Sequence, residues 1–228
     1  MLKYLLIVGS LAAFAAPVAA QTAYRALGTE PFWSVTIGGG WMTYEDAQGR
    51  RVSVATPRPR YPRYNGRHYQ TRRLFVDIHS RRPCSDGMSD RRYADTVRVI
   101  VDGRRLEGCG GAILPPETLA ETGWRIESIN GRAVPRDDER YRIEFEANHV
   151  SGQAGCNRFS GSYRVGRDGL QAGPLTMTRM ACPGSAMAHE RAVANLLRGR
   201  VRLAYPDGET LVMRGVGGGE TRLRRLLP

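Results

Sequence analysis

The chain has 228 residues, 41% hydrophobic and 25% charged, with 34 basic against 22 acidic side chains and a net charge of +12 at pH 7. That balance excludes a disordered chain and a multi-span membrane protein, and the length suits two domains of roughly 100 residues better than one core. Only one of the 34 basic residues is a lysine, Lys3, which either coding drift toward arginine or a surface for anionic partners would explain.

Lys3 precedes an apolar stretch over residues 5–16, followed by Pro17 and the small residues Val18-Ala19-Ala20. The run is shorter than the roughly 20 residues that cross a bilayer and ends as secretory leaders end, so residues 1–20 read as a signal peptide cleaved after Ala20. No cysteine lies near that site to take a lipid, and no later stretch is long enough to span. The mature chain is expected to be soluble in an oxidising, extracytoplasmic space, the periplasm of a Gram-negative cell.

From Gln21 the pattern turns to short strands. Residues 32–37, 41–45 and 51–55 are candidates, the last two joined by a turn over 46–50. Residues 50–82 hold ten arginines against one acid, Asp77, with Tyr61, Tyr64 and Tyr69 interleaved. In a cytosolic protein, arginine among aromatics suggests nucleic acid, but the leader argues against that partner. Pro57, Pro59 and Pro62 make the middle of the run a loop. It is either a solvated loop or a surface on which Arg58, Arg60, Arg63, Arg67, Arg72 and Arg73 meet anionic envelope polymers such as lipopolysaccharide phosphates or peptidoglycan carboxylates.

Alternation with a period of two marks Leu74, Val76 and Ile78, and later Val97, Val99 and Val101, as strand faces. Between them, Cys84-Ser85-Asp86-Gly87-Met88-Ser89-Asp90 offers oxygens at Asp86 and Asp90. Their spacing is not that of a calcium loop, and side chains capping a turn fit better.

Gly110-Gly111-Ala112-Ile113-Leu114-Pro115-Pro116 interrupts the pattern and divides the mature chain into residues 21–116 and 117–228. Beyond it, strands are predicted over 124–129, 150–154, 161–165, 201–205, 210–214 and 221–226. Tyr141, Ile143 and Phe145 alternate with Arg142, Glu144 and Glu146. One segment, 185–198, reads as helix, opened by Pro183-Gly184-Ser185 and stopped by Gly199. Ala186, Met187, Val193, Ala194 and Leu197 share an arc of about 120° with Glu190 in its middle. A buried carboxylate needs a partner, and Arg158 and Arg179 are candidates. The fold class expected is mainly β, or α+β: two small antiparallel domains, the second a sheet with one packed helix.

Cys84 and Cys109 fall in one half, Cys156 and Cys182 in the other. In an oxidising compartment, disulfides within each half are the natural choice among the three possible pairings. No Cys-x-x-Cys occurs, and His68, His79, His149 and His189 lack metal-ligand spacing, so neither metal nor cofactor is expected. No nucleophile elbow, phosphate-binding loop, dinucleotide fingerprint or paired carboxylates can be read from the sequence, which points away from an enzyme.

Gly155-Cys156-Asn157-Arg158-Phe159-Ser160-Gly161-Ser162-Tyr163, followed by Thr178-Arg179-Met180-Ala181-Cys182 and then Glu190, resembles the META domain, an HslJ-like family. Trp124, Ser151-Gly152-Gln153-Ala154 and Leu211-Val212-Met213 extend the resemblance. It implies an antiparallel β fold with a packed helix, extracytoplasmic residence, a link to heat or envelope stress and novobiocin tolerance, no established catalysis, and a cysteine pair at Cys156 and Cys182. The first half, through Gly28-Thr29-Glu30-Pro31-Phe32-Trp33-Ser34-Val35, the 84–93 run and Leu106-Glu107-Gly108-Cys109, is similar to an uncharacterised envelope-protein family. Its strand count suggests a small lipocalin-like barrel.

The function these features favour is a non-enzymatic periplasmic role in envelope stress or integrity. The protein would act by binding anionic envelope polymers or an envelope protein. A proteinaceous inhibitor of envelope-attacking enzymes such as lysozyme is the alternative, weakened by the like charge of that basic enzyme. A hydrolase with an unrecognised site is the second.

Overall fold

The computed structural model describes residues 23–63 and 65–227; the expected leader, residues 1–20, and Tyr64 lie outside them. Strands β1 (Tyr24–Thr29), β2 (Phe32–Gly38), β3 (Trp41–Asp46), β4 (Arg51–Ala55), β5 (Gly66–Gln70), β6 (Leu74–His79), β7 (Cys84–Ser85), β8 (Arg92–Val101) and β9 (Arg104–Leu114) form the first sheet. Its order is β4-β3-β2-β1-β9-β8-β6-β5, with β7 on β8, all antiparallel. The two end strands do not pair with each other, so the sheet curls into a half-barrel.

The second sheet comprises β10 (Thr122–Ile129), β11 (Arg132–Ala133), β12 (Tyr141–Phe145), β13 (His149–Ala154), β14 (Arg158–Gly166), β15 (Gly169–Ala172), β16 (Thr176–Met177), β17 (Arg200–Asp207), β18 (Thr210–Gly215) and β19 (Glu220–Leu226). It runs β10-β12-β13-β14-β15-β17-β18-β19 and returns to β10, a closed barrel that leaves those strands no free edge.

The alternation read from the sequence becomes core directly. Leu74, Val76 and Ile78 of β6 stand opposite Val101, Val99 and Val97 of β8, and all six are buried. Tyr141, Ile143 and Phe145 point into the barrel with Trp124, Ile126, Val150, Leu211 and Leu223, while Arg142 and Glu144 face out. A period of two on a sheet with one wet face permits only that arrangement.

The glycines at 110–111 do not end the first sheet as expected; β9 runs through them to Leu114. Neighbouring side chains demand them there. A Cβ on Gly108 would lie 2.7 Å from the Trp33 ring and one on Gly110 2.5 Å from the Tyr24 hydroxyl, so glycine admits close packing instead of breaking the strand.

Helix α1 (Ala186–Arg198) follows Ser185 and ends before Gly199. It touches β10, β13, β15, β17 and β18, strands from all round the barrel, so it lies across one end of it. Val193, Ala194, Leu196 and Leu197 seal that end. Two expectations of the arc change. Met187, in the first turn, is 41% exposed, and Leu196 is buried outside the predicted stripe.

The halves meet where the β17–β18 turn abuts the end of β9. Gly208 lies against the backbone of Ile113 and Leu114, and Arg91 sends Nε and Nη2 to Glu209 Oε1, both at 2.8 Å.

Candidate functional site

The strongest sequence motif builds a polar knot beside the barrel's helical end. The chain leaves β13 through Gly155, whose φ of +142° and contact with Ala186 exclude a side chain. Cys156 and Asn157 then donate their backbone N–H groups to Glu190 Oε1 at 2.8 and 2.7 Å, and Asn157 Nδ2 donates to Oε2 at 2.8 Å. Asn157 Nδ2 also reaches the Met180 carbonyl at 3.0 Å, while its Oδ1 accepts from Thr178 Oγ1 and Met180 N–H at 2.9 and 2.7 Å. The amide of this buried asparagine therefore uses both donors and both lone pairs. The Cys156–Cys182 disulfide closes the same two loops covalently.

Glu190 is buried as predicted, but its partner is not an arginine. Arg158 and Arg179 are exposed and take no part. Three neutral N–H donors hold the carboxylate, which avoids desolvating a guanidinium. Burial by itself would push the Glu190 carboxyl upward, but the bonds from Asn157 and Cys156 outweigh it and hold the group below the usual carboxylate range. The sulfurs of Cys156 and Cys182 and a Glu190 oxygen lie within 4.8 Å of one another, a spacing that suits a metal. The sulfurs are joined as a disulfide and the carboxylate is occupied by N–H groups, so these atoms are structural.

On the outer wall next to this knot, Arg142, Glu144, Ser151, Gln153, Arg158, Ser160 and Thr176 surround an open groove of about 430 Å³. Its floor is the backbone of β13 and β14 at Gly152 and Phe159; the Phe159 ring turns into the barrel core, where a Cβ on Gly152 would come within 2.7 Å of it. Arg142 pairs with Glu144 at 3.4 Å, whereas Arg158 forms no ion pair among the described residues. The groove offers one unneutralised guanidinium among hydroxyls, a donor set for an anionic or hydroxylated ligand.

In the first half, Cys84–Cys109 is formed. The 84–93 run is a capped turn, as expected. Asp86 accepts from Met88 N–H, Ser89 N–H and Ser89 Oγ at 3.1, 2.9 and 2.8 Å; burial raises its carboxyl, but these bonds win and lower it. The six arginines of the basic run are divided. Arg67 stacks over the Tyr24 ring at 5.2 Å, and Arg73, with Arg50, grips Asp102, whose carboxyl those two guanidinium groups hold down to about 2. Arg58, Arg60, Arg63 and Arg72 remain exposed and without an ion pair among the described residues. Backbone bonds between Arg60 and His68 at 2.9 and 2.8 Å fix the proline-rich loop to β5.

Sequence reasoning missed a cluster on β5 and β6. Buried Asp77 sits between His68 Nε2 at 2.8 Å and His79 Nε2 at 3.1 Å, each on its own carboxylate oxygen. The signal was the register: His68 stands opposite Asp77 only once β5 pairs with β6.

A closed antiparallel barrel stoppered by one helix, with a disulfide-stapled Cys-Asn turn gripping a buried helical carboxylate, is the class of domain that fold and site define. Residues 117–226 match the META domain family, and the C-terminal half of the chain is an HslJ-like META domain. The chain is 37% identical over 67 residues to heat shock protein HslJ of Escherichia coli (strain K12), a match covering 29% of this chain and 48% of that relative. The chain thus spans about half the length of the curated relative it matches. An NMR structure of a protein from Burkholderia xenovorans is 25% identical with a TM-score of 0.40, covering 47% of this chain and 83% of its own. A second NMR structure is 27% identical with a TM-score of 0.42, covering 48% and 93%. No helix among the described residues is long and apolar enough to cross a membrane.

Proposed function

We propose that this protein is a non-enzymatic, periplasmic component of envelope stress tolerance, heat and novobiocin-type antibiotics included, that works by binding anionic envelope polymers. Secretion and periplasmic residence rest on the leader read in residues 1–20, and the two disulfides suit an oxidising space. The stress association follows from the relative's name as a heat shock protein.

The observation that carries the binding reading is Arg58, Arg60, Arg63 and Arg72. The first half holds 16 arginines against nine acids, and its acids are largely engaged elsewhere: Asp102 by Arg50 and Arg73, Glu107 by Arg98, Asp77 by two histidines. The surplus guanidinium groups collect on one proline-braced loop and the adjoining turn, where phosphate or carboxylate can be met bidentately.

The test is retention on purified peptidoglycan and on lipopolysaccharide across a salt series, for the wild type and a variant with these four arginines changed to serine. Capture that falls with salt and is lost in the variant is expected. Salt-insensitive capture, no capture, or equal capture of the variant would refute the reading.

A further inference from the structure

The outer wall of the second barrel carries polar groups that the fold does not use. Strand alternation puts Arg142 and Glu144 of β12, Ser151 and Gln153 of β13, and Arg158 and Ser160 of β14 on the face opposite Ile143, Val150 and Phe159, which are buried in the core. The register lines them up in two rows. Arg142 stands opposite Gln153, and Gln153 opposite Arg158. Two residues along the strands, Glu144 stands opposite Ser151, Ser151 opposite Ser160, and Ser160 opposite Thr176 of β16. Directly opposed residues share a face and lie about 5 Å apart. All of these side chains therefore border the same groove of about 430 Å³, a size typical of small-ligand sites.

The groove is held in shape by the knot beside it. Gln153 Nε2 donates to the Gly155 and Cys156 carbonyls at 3.2 and 2.8 Å. The Arg158 N–H donates to Thr178 Oγ1 at 3.0 Å, and the Arg158 carbonyl accepts from Thr178 N–H at 3.0 Å. What remains is a complementary set of unspent groups. The Arg158 guanidinium and the hydroxyls of Ser151, Ser160 and Thr176 have no hydrogen bond or ion pair among the described residues, and Gln153 Oε1 accepts none. Arg142 directs Nε to Glu144 at 3.4 Å, which leaves the end of its guanidinium open.

This set selects the ligand. Two guanidinium groups against one carboxylate leave a positive charge on the Arg158 side, so an oxyanion is favoured there and a free cation is not. Gln153 Oε1 and Glu144 can only accept, so they call for donors on the ligand, while the three hydroxyls can donate or accept. A bare oxyanion leaves those acceptors unanswered, and a neutral sugar leaves Arg158 unanswered. A sugar ring that bears an acidic group answers both. The Phe159 ring is turned into the core, so recognition here is by hydrogen bonds and charge and not by stacking.

We infer that the groove over β12, β13 and β14 is a binding site for an acidic saccharide, a sugar ring carrying a carboxylate or a phosphate. Arg158 pairs with the oxyanion, helped by the open end of Arg142. Gln153 Oε1 and Glu144 accept from ring hydroxyls, and Ser151, Ser160 and Thr176 bond the remaining oxygens. The site lies in the other half of the chain from the arginine loop and shares no residue with it, so it stands or falls independently of the proposed polymer binding.

The full protein is titrated by calorimetry with N-acetylmuramic acid and glucuronic acid, which carry a carboxylate, and with phosphorylated glucose. N-acetylglucosamine serves as the neutral comparison and inorganic phosphate as the bare anion. The expected result is saturable binding of at least one acidic sugar, about tenfold or more tighter than either comparison. Which arm binds distinguishes a carboxylate from a phosphate source. Arg158→Gln should weaken that binding about tenfold and Ser160→Ala about threefold, with unfolding midpoints unchanged. The inference is overturned if no acidic sugar binds where a Kd of about 1 mM would be seen, or if the neutral sugar or inorganic phosphate binds equally well. It is also overturned if both variants bind as the wild type does. Loss of binding in the variant lacking the four loop arginines, with Arg158→Gln unaffected, would assign the capture to the loop and overturn it too. Each of those outcomes leaves salt-dependent polymer capture by the arginine loop intact, so the two readings fail separately.

Discussion

Asn157→Ala tests whether the family motif is first of all an internal fastening. The substitution deletes four side-chain hydrogen bonds, to Glu190 Oε2, the Met180 carbonyl, Thr178 Oγ1 and Met180 N–H. Neutral bonds contribute about 1 kcal/mol each, and the one to an ionised carboxylate about 1.5–3 kcal/mol. The disulfide still holds the loops near each other and allows some repair, so the expected loss is about 3–5 kcal/mol. For a domain of about 100 residues that lowers the unfolding midpoint by about 15–30 °C. Near-ultraviolet circular dichroism, dominated in the barrel by buried Trp124, follows it. A companion, Asn157→Asp, turns a carboxylate toward Glu190. Hydrogen bonds hold the wild-type Glu190 carboxyl below the usual glutamate range, so its contribution is complete above that range and is lost as pH falls through the folded value. Two facing carboxylates raise their folded values, so Asn157→Asp should instead gain stability relative to wild type as pH falls from 7 toward 4. A loss under about 1 kcal/mol for Asn157→Ala, or parallel pH slopes for the wild type and Asn157→Asp, would refute the fastening.

Three more outcomes follow from the same geometry. A Cβ on Gly208 would lie 2.3 Å from the Ile113 carbonyl oxygen and 2.7 Å from Leu114 carbon, so Gly208→Ala should loosen the contact between the halves at a cost of about 1–3 kcal/mol. Limited proteolysis near Pro115-Pro116 should accelerate, and an unchanged cleavage rate would contradict the packing. Replacing either cysteine pair by serine should cost about 3 kcal/mol in urea unfolding, since both close loops of similar span, 25 and 26 residues; a loss under 1 kcal/mol for either would contradict that estimate. Asp86 and Asp207 are also lowered by hydrogen bonds that outweigh burial, so acid unfolding should set in below pH 4 and shift measurably in Asp86→Asn. Coincident acid transitions in the two proteins would show that Asp86 contributes nothing.

The sequence revealed strands wherever one face was dry and the other wet, as at Leu74-Val76-Ile78 and Tyr141-Ile143-Phe145, because period two then maps onto burial without help from the rest of the chain. It concealed β9 altogether, because a glycine demanded by a neighbour's ring looks like a glycine that ends a strand until the neighbour is in place. Glu190 was legible as a buried carboxylate from its position on the helix. Its partner was not, because a charge suggests an opposite charge, whereas two backbone N–H groups and an amide carry no mark in composition. The His68-Asp77-His79 cluster and the hydrogen bond from Thr29 Oγ1 to the Asp86 carbonyl depend on strand register and on loops meeting in space, so local pattern held no trace of either.

The motif's division of labour directs where recognition can reside in the C-terminal half. Cys156 and Cys182 form the staple, Asn157 and Thr178 bind each other and the loop, Phe159 fills the barrel, and Tyr163 donates its hydroxyl to the Glu146 carbonyl at 2.8 Å. These residues have no group left over for a ligand. Arg158 and Ser160 of the same motif face outward with Arg142, Glu144 and Ser151 across the groove, and no hydrogen bond ties the Arg158 guanidinium or the Ser160 hydroxyl among the described residues. Arg158→Glu should therefore leave the unfolding free energy within about 0.5 kcal/mol of wild type, as surface changes away from caps and networks do. Any anion captured by this groove should be lost in the same variant, measured by calorimetry with a phosphorylated saccharide. A destabilisation above about 2 kcal/mol would mean that the outward-facing arginine belongs to the fastening after all, and the separation between fold-holding and ligand-facing residues would fail.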